Sequence, residues 1–340
     1  MYELDGLDSA PKVQIKFISA ALARQTSLEM IGGGRLSRAR GCLRWLAGGG
    51  VRRVGAVYCE APSASVMPTD LLFMSLMRLM GRPVGVYFRD AYQFFRDIYP
   101  RRYRRQLLTD LIWRVTMPMT RMVATHRFVP SAGLAEVMRL KDPILLTPGA
   151  DPETPNLGAG AEPLVAYVGG NGWADGFDTL VEAVPLVRSE VPDARLLAVT
   201  AALSPERLAR LPDWVETRQA GRAEIPDLVK DARLFVIPRP ITTYTDLAIP
   251  LKLWDYLSMG KPIVATEAVE TAKILSASGG GIVTPATPRG LADGLLELLR
   301  DQELANAMAS RARAFACSPA NTWDARAATI IESMLGTPAA

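Results

Sequence analysis

The sequence predicts an α/β protein of two doubly wound domains, each a parallel sheet with helices on both faces. Short apolar runs that read as buried strands alternate along the chain with stretches of 3.6-residue apolar period, the pattern of successive β-α-β units. At 340 residues the chain exceeds what one core ordinarily organises and fits two. A Pro/Gly turn at Pro148 and Gly149, followed by the loop NLGAGAEP, marks the break between them. The expected division is an N-terminal domain over residues 1–150, a second over 151–317, and a closing helix over 318–340.

Composition narrows the function classes. An apolar fraction of 49% and a charged fraction of 22% are those of a folded globular protein. Cys42, Cys59 and Cys317 are scattered and odd in number, which argues against a disulfide framework and for a reducing compartment. His126 is the only histidine, which excludes a histidine-rich metal site, and it reads as structural. No long apolar run free of charge and no basic-then-apolar leader stands in the sequence, so a cytoplasmic location is expected. The net charge of +4 hides an asymmetry: residues 1–150 are strongly basic and the remainder acidic. A basic half points to a polyanion or to an anionic membrane surface.

Taken in order, Met1 to Leu4 read as the end of a strand, short or incomplete, followed by GLDSAP and a helix over about 13–24. SLEMIGGG reads as a strand that breaks at three glycines, and a basic helix follows over 35–47. The strand VGAVYCE, a helix over 69–80 and the strand PVGVYFRD continue the alternation. Arg89 and Asp90 stand at the carboxyl end of this last strand, the edge where open α/β sheets bind ligands. Asp90 there suits a general base on an acceptor hydroxyl, and Arg89 suits an anion; a mutual pair capping the loop is the alternative.

The segment 94–121 is the most basic of the chain. It interleaves Arg101, Arg102, Arg104, Arg105, Arg114 and Arg121 with aromatic and aliphatic residues. Part of it is expected to be an amphipathic helix with its apolar stripe on the core and an arginine-rich rim. Such a rim suits an anionic bilayer carrying a lipid-linked acceptor, a solvated basic face being the alternative. No nucleic-acid module is recognisable, so nucleic acid is not an expected partner. HRFVPSAGLAEVMRL gives a strand and a helix starting at Ser131, and ILLTPGADPET closes the domain.

In the second domain the strand 164–168 runs into a glycine-rich loop, Gly169, Gly170, Asn171 and Gly172, and a helix from about Asp178. Such a loop lets backbone approach a phosphate. ARLLAVT is the next strand, then a helix over 205–211, a short strand at Val215, and a turn with a helix at GRAEIPDLVKDA that carries Arg222 and Glu224. The stretch LFVIPRPITTYTDLAIPLKLWDYLSMGKPIVAT organises the rest: a buried strand over 234–237, a polar loop, a helix over 251–259 and a second buried strand over 263–266. Pro250 starts that helix, and Gly260 with Pro262 stops it. A helix over 267–278, a glycine turn at 279–281 with a strand, and helices of clear 3.6 period complete the domain.

Lys252 lies in the first turn of the 251–259 helix, where the macrodipole disfavours a cation unless an anion shares the site. The N–H groups beginning at Leu251, the dipole and the ammonium together suit a diphosphate. Asp255, three residues on and on the same face, suits a diol such as a ribose; a simple Lys252–Asp255 ion pair is the bland reading.

On these residues PLKLWDYLSMGKPIVAT resembles the P-x-K-hydrophobic-x-E-hydrophobic-x-x-x-G-x-P-hydrophobic-V-A-T signature of the group 1 glycosyltransferases of the GT-B fold. The resemblance covers most of residues 160–335 and, more loosely, the N-terminal half. It implies two Rossmann-like domains facing a cleft, a nucleotide-sugar donor, Lys252 on its diphosphate, Asp255 on its ribose, and a last helix returning to the N-terminal domain. The chain departs from the signature in places. Asp255 replaces the usual Glu, and the family's other glutamate falls on Leu247, with Asp246 beside it as a substitute. Gly170 and Asp175 stand where the family carries two cations, leaving Arg239 to compensate.

The expected function is transfer of a sugar from a nucleotide-sugar donor to a saccharide or lipid-linked acceptor in bacterial polysaccharide or glycolipid synthesis. The expected site places Asp90, Arg89 and Asp246 at the chemistry. The donor falls to Lys252, Asp255, Arg239, Leu251 and the 169–172 loop. No Asp-x-Asp pair occurs, so neither a metal nor a further cofactor is expected. Alternatives are a catalytically silent GT-B binding subunit and a nucleotide-sugar 2-epimerase.

Overall fold

The computed structural model describes residues 10–62, 66–90, 92–101 and 103–336. The expected strand end at Met1 to Leu4, and Arg102, lie outside them. The chain divides into two compact units, one of residues 1–148 with 323–340, the other of 149–322.

The first unit runs α1 (Ala10–Gln25), α2 (Arg35–Ala47), β1 (Val57–Glu60), α3 (Pro68–Leu79), β2 (Val84–Tyr87), α4 (Arg105–Val123), β3 (His126–Val129), α5 (Ala132–Val137) and β4 (Pro143–Leu145). Its four strands are parallel in the order β1-β2-β3-β4. The second unit runs β5 (Leu164–Val168), α6 (Phe177–Arg188), β6 (Arg195–Val199), α7 (Pro205–Leu208), β7 (Val215–Arg218), α8 (Ile225–Val229), β8 (Leu234–Ile237), α9 (Leu251–Ser258), β9 (Ile263–Thr266), α10 (Val269–Ser278), β10 (Gly281–Thr284), α11 (Pro288–Arg300) and α12 (Gln302–Ala316). Its sheet is parallel in the order β10-β9-β8-β5-β6-β7. A last helix, α13 (Trp323–Leu335), belongs to the first unit.

The apolar runs of β2, β8 and β9 become fully buried strands because helices cover both faces of a parallel sheet. In the second unit Leu180, Val184, Leu291 and Leu295 from α6 and α11 pack one face, and Leu253, Trp254, Leu257 and Leu275 from α9 and α10 pack the other. Lys261, after α9, is fully buried; its Nζ donates to the carbonyls of Gly158 (2.9 Å), Lys230 (2.9 Å) and Ala232 (2.5 Å), so its charge is met by dipoles.

Three expectations change. Residues 27–31 form no strand: they have no ladder partner among the described residues, and Leu28 and Met30 are exposed. The helix expected over 205–211 stops at Leu208. Most telling, α4 does not bury its apolar stripe. Its buried positions are Asp110, which pairs with Arg96 and Arg101, together with Thr116 and Thr120, whereas Leu107, Leu108, Leu111, Val115, Met119 and Met122 are exposed. These pairs to the buried Asp110 tie the polar face inward, so the apolar stripe faces out. α3 packs against α4 and exposes Leu72 and Leu79 as well.

Candidate donor site

In the second unit the chain leaves β5 toward β6 on one side, while β8 joins β5 on the other, so β5 and β8 flank the point where the strand order reverses. Ligands of open α/β sheets sit at the carboxyl ends of such strands. Here the loop after β5 supplies Gly169 to Gly172, and the loop after β8 leads through Arg239 and Asp246 into α9.

The structure brings Lys252 onto the glycine loop. Its Nζ lies 3.4 Å from the Tyr167 hydroxyl and 4.6 Å from the centre of that ring. A Cβ on Gly169 would sit 2.2 Å from Nζ and 2.8 Å from the Tyr167 hydroxyl, so a side chain here would push the ammonium off its present place. Burial pushes the Lys252 ammonium down to about 8; Asp175 opposes this and Arg239 adds to it. Asp175 also packs on Gly170, where a Cβ would meet its Oδ2 at 2.3 Å. Asp175 is therefore the acidic charge that acts on Lys252, against Arg239.

The loop is held from below and from the side. The Tyr167 hydroxyl donates to the Gly170 carbonyl. Tyr256 of α9, stacked on Phe235 at 3.9 Å, accepts from the Val168 amide (2.8 Å) and donates to its carbonyl (2.9 Å). Arg207 donates to the Asn171 carbonyl (2.6 Å) and pairs with Asp178, while the Asn171 side chain donates to the Ala201 carbonyl (3.0 Å). Gly176, at φ +75°, allows the loop to press on the carbonyl of Pro238, which a Cβ would meet at 1.7 Å. The two loops are thereby locked against each other.

No Lys252–Asp255 pair forms. Asp255 instead receives both Arg222 terminal nitrogens, at 2.8 and 2.5 Å, a bidentate pair that remains about a quarter exposed. Leu251 opens α9 behind Pro250, which offers no side-chain cap to the first amides of the helix, in the same turn as Lys252. Arg239 is half-buried, its carbonyl accepting from Thr266 Oγ1 at 2.6 Å. Asp246 holds the start of α10, where its carboxylate accepts from the Val269 amide (3.2 Å).

Sequence reasoning did not single out Tyr167, Tyr256 or Arg207. A tyrosine ending a buried strand just before a glycine loop was the signal available for the first.

In the first unit Arg89 and Asp90 follow β2. Arg89 pairs with Glu60 at 2.5 Å, both side chains buried, and stacks over Tyr87. Asp90 is half-buried beside Phe88, Trp113 and Thr116. Among the described residues no group of three or more His, Cys, Asp or Glu assembles in a way that could hold a metal ion. No helix among them is long and apolar enough to cross a membrane.

A family model described as "Glycosyl transferases group 1" matches residues 162–301. TuaH of Bacillus subtilis (strain 168), named as a teichuronic acid biosynthesis glycosyltransferase, is 31% identical over 77 residues, 23% of this chain. The chain spans about a fifth of that relative, the match covering 19% of it. Among solved structures, Anabaena HepE in complex with UDP is similar at a TM-score of 0.69 with 15% identity, over 98% of both chains. Sucrose-phosphate synthase from Thermosynechococcus elongatus gives 0.68 with 13% identity, over 96% of this chain and 92% of that one. WaaG, a glycosyltransferase involved in lipopolysaccharide biosynthesis, gives 0.63 with 13% identity over 99% of both.

Proposed function

We propose, from the match of residues 162–301 to the group 1 glycosyltransferase model and from the likeness of the fold to solved GT-B structures, that this protein moves a sugar from a nucleotide-sugar donor to an acceptor hydroxyl in polysaccharide or glycolipid synthesis. The observation that carries the reading is Lys252, held over Gly169 where the strand order reverses. The donor diphosphate takes the place that the ammonium, the first amides of α9 and the glycine-loop backbone leave for an anion. As the bond to the sugar breaks, negative charge grows on the leaving diphosphate, and Lys252 with Arg239 stabilises it in surroundings that water screens weakly. Asp255, oriented by Arg222, accepts from the ribose hydroxyls. We assign the acceptor proton to Asp90, supported by its place at the carboxyl end of β2, and charge neutralisation to these protein cations in place of a metal. The exposed α3/α4 stripe and its arginines support a peripheral seat on an anionic membrane, at its cytoplasmic face.

The test is thermal unfolding of the intact chain with UDP, GDP, dTDP, ADP and CMP, repeated on Lys252→Ala and with a chelator present. A nucleotide at about 100 times its dissociation constant stabilises by roughly 2.7 kcal/mol, a rise of several degrees. The expected result is a shift with one nucleotide, lost in Lys252→Ala and kept with the chelator. No shift with any nucleotide would sink the donor site and favour a silent binding subunit, the reading that Asp175 in place of a family cation supports. Turnover of a labelled donor without acceptor, giving an isomerised product, would point instead to a 2-epimerase.

A further inference from the structure

Three charges gather at the glycine loop of the second unit and do not pair. Asp175 and Arg239 act in opposite directions on the buried Lys252 ammonium, and both act on the Tyr167 hydroxyl that lies 3.4 Å from it. Among the described residues, however, neither the Asp175 carboxylate nor the Arg239 guanidinium enters an ion pair or a side-chain hydrogen bond. The neighbouring carboxylates behave otherwise: Asp178 pairs with Arg207, and Asp255 with Arg222. Asp175 and Lys252 approach successive residues of one loop. A Cβ on Gly169 would meet Lys252 Nζ at 2.2 Å, and a Cβ on Gly170 would meet Asp175 Oδ2 at 2.3 Å.

Opposite charges attract strongly where water screens them weakly, so an acid and a buried cation that stay unpaired are kept apart by the backbone that carries them. Here the backbone is fixed on both sides of Asp175. The Gly170 carbonyl accepts from Tyr167, the Asn171 carbonyl accepts from Arg207, and Gly176 presses on the Pro238 carbonyl. A ligand completes such a site when it brings an anionic oxygen to the cations and a hydroxyl hydrogen to the carboxylate, which in its ionised form only accepts. A phosphate alone satisfies the cations and is repelled by Asp175. A sugar joined to a phosphate satisfies all three.

We propose that Asp175 is a specificity-determining residue of the donor site, accepting hydrogen bonds from hydroxyls of the donor's sugar while Lys252 and Arg239 hold the phosphate joined to that sugar, an assignment that rests on the nucleotide-sugar reading of the site. An acid at a position where the family signature carries a cation then has a consequence for selectivity. It lowers the affinity of the site for a bare nucleoside diphosphate and leaves that for the intact nucleotide sugar in place, because only the intact donor supplies hydrogen-bond donors to the carboxylate. Once the sugar has been transferred, those donors are gone and Asp175 faces the diphosphate that remains. The spent nucleotide is held more weakly than the donor that brought it.

Titration calorimetry of the intact chain, of Asp175→Asn and of Asp175→Ala tests this with three ligand pairs: UDP and UDP-glucose, GDP and GDP-mannose, dTDP and dTDP-glucose. Asparagine keeps the shape of the side chain and alanine removes it, and neither change strands a partner, since the half-buried carboxylate has none among the described residues. For the nucleotide that binds, both variants are expected to hold the diphosphate about tenfold more tightly, and its sugar conjugate no more tightly than the unaltered chain does. The preference for the conjugate over the diphosphate then falls by about tenfold or more. Equal shifts for the two ligands, or no shift for either, overturn the assignment and leave Asp175 a background charge, with the donor site intact. Failure of the unaltered chain to bind any of the nucleotides overturns the donor site itself, and the role of Asp175 with it.

Discussion

Lys252 and Gly169 are coupled, because a Cβ at position 169 would fall where the ammonium lies. Gly169→Ala is expected to weaken nucleotide binding about tenfold, with no further loss when combined with Lys252→Ala, measured by titration calorimetry on the two single variants and the double. Additive losses would show that the two act separately. The pH dependence follows from the ammonium at about 8. A diphosphate favours the charged lysine, so affinity is expected to be flat below about pH 7 and to fall about tenfold per unit above 8. Stability without ligand moves the other way. Lys252 and Lys261 both lie near 8 when folded against 10.5 when free, so the unfolded chain binds more protons between those values, and their contribution rises with pH across that window. Opposite slopes in one buffer series check both signs. The place of Lys252 in a first helical turn was legible in the sequence from Pro250 and Gly260. Its surroundings were not: Tyr167 lies 85 residues away and Arg222 lies 33 from Asp255, distances that only the strand order closes.

At the scale of elements, strands were legible wherever burial was complete. The strands β5, β8 and β9 fall where short apolar runs place them, because a strand covered on both faces has no choice of side. Residues 27–31 have the composition of a strand and no partner among the described residues, and composition alone cannot supply one. The α4 helix shows a different limit: periodicity reveals an apolar stripe but not the direction in which it faces. Here Asp110, Thr116 and Thr120 hold the polar side inward. If the outward stripe enters a bilayer, Leu108→Asp with Val115→Asp should abolish flotation with liposomes that contain anionic lipid. Both positions are more than half exposed, so the thermal midpoint should hardly move. Unchanged flotation would leave the stripe to a protein partner.

Across the whole molecule, the sequence made the two-domain plan and the charge asymmetry plain, and the structure adds that the first unit is assembled from both ends of the chain. The α13 helix closes it: Trp323 stacks on Phe17 at 5.8 Å, Asp324 pairs with Arg24 at 2.6 Å, and Met334 packs so tightly on Gly85 that a Cβ there would lie 2.5 Å from its sulfur. Trp323→Ala is expected to destabilise the first unit by about 3 kcal/mol or more while leaving nucleotide affinity unchanged, as read from denaturant unfolding beside a binding titration. A parallel loss of affinity would mean that the nucleotide is not held by residues 149–322 alone. The same assembly sets a timetable during synthesis. The second unit is an insertion within the first, so a ribosome must complete residues 149–322 before it makes the helix that finishes the unit begun earliest. At about 5–20 residues per second the opening half waits for roughly ten to thirty seconds with the face for Trp323, Ile330 and Met334 uncovered. For the newborn chain, that interval is when a chaperone would find it.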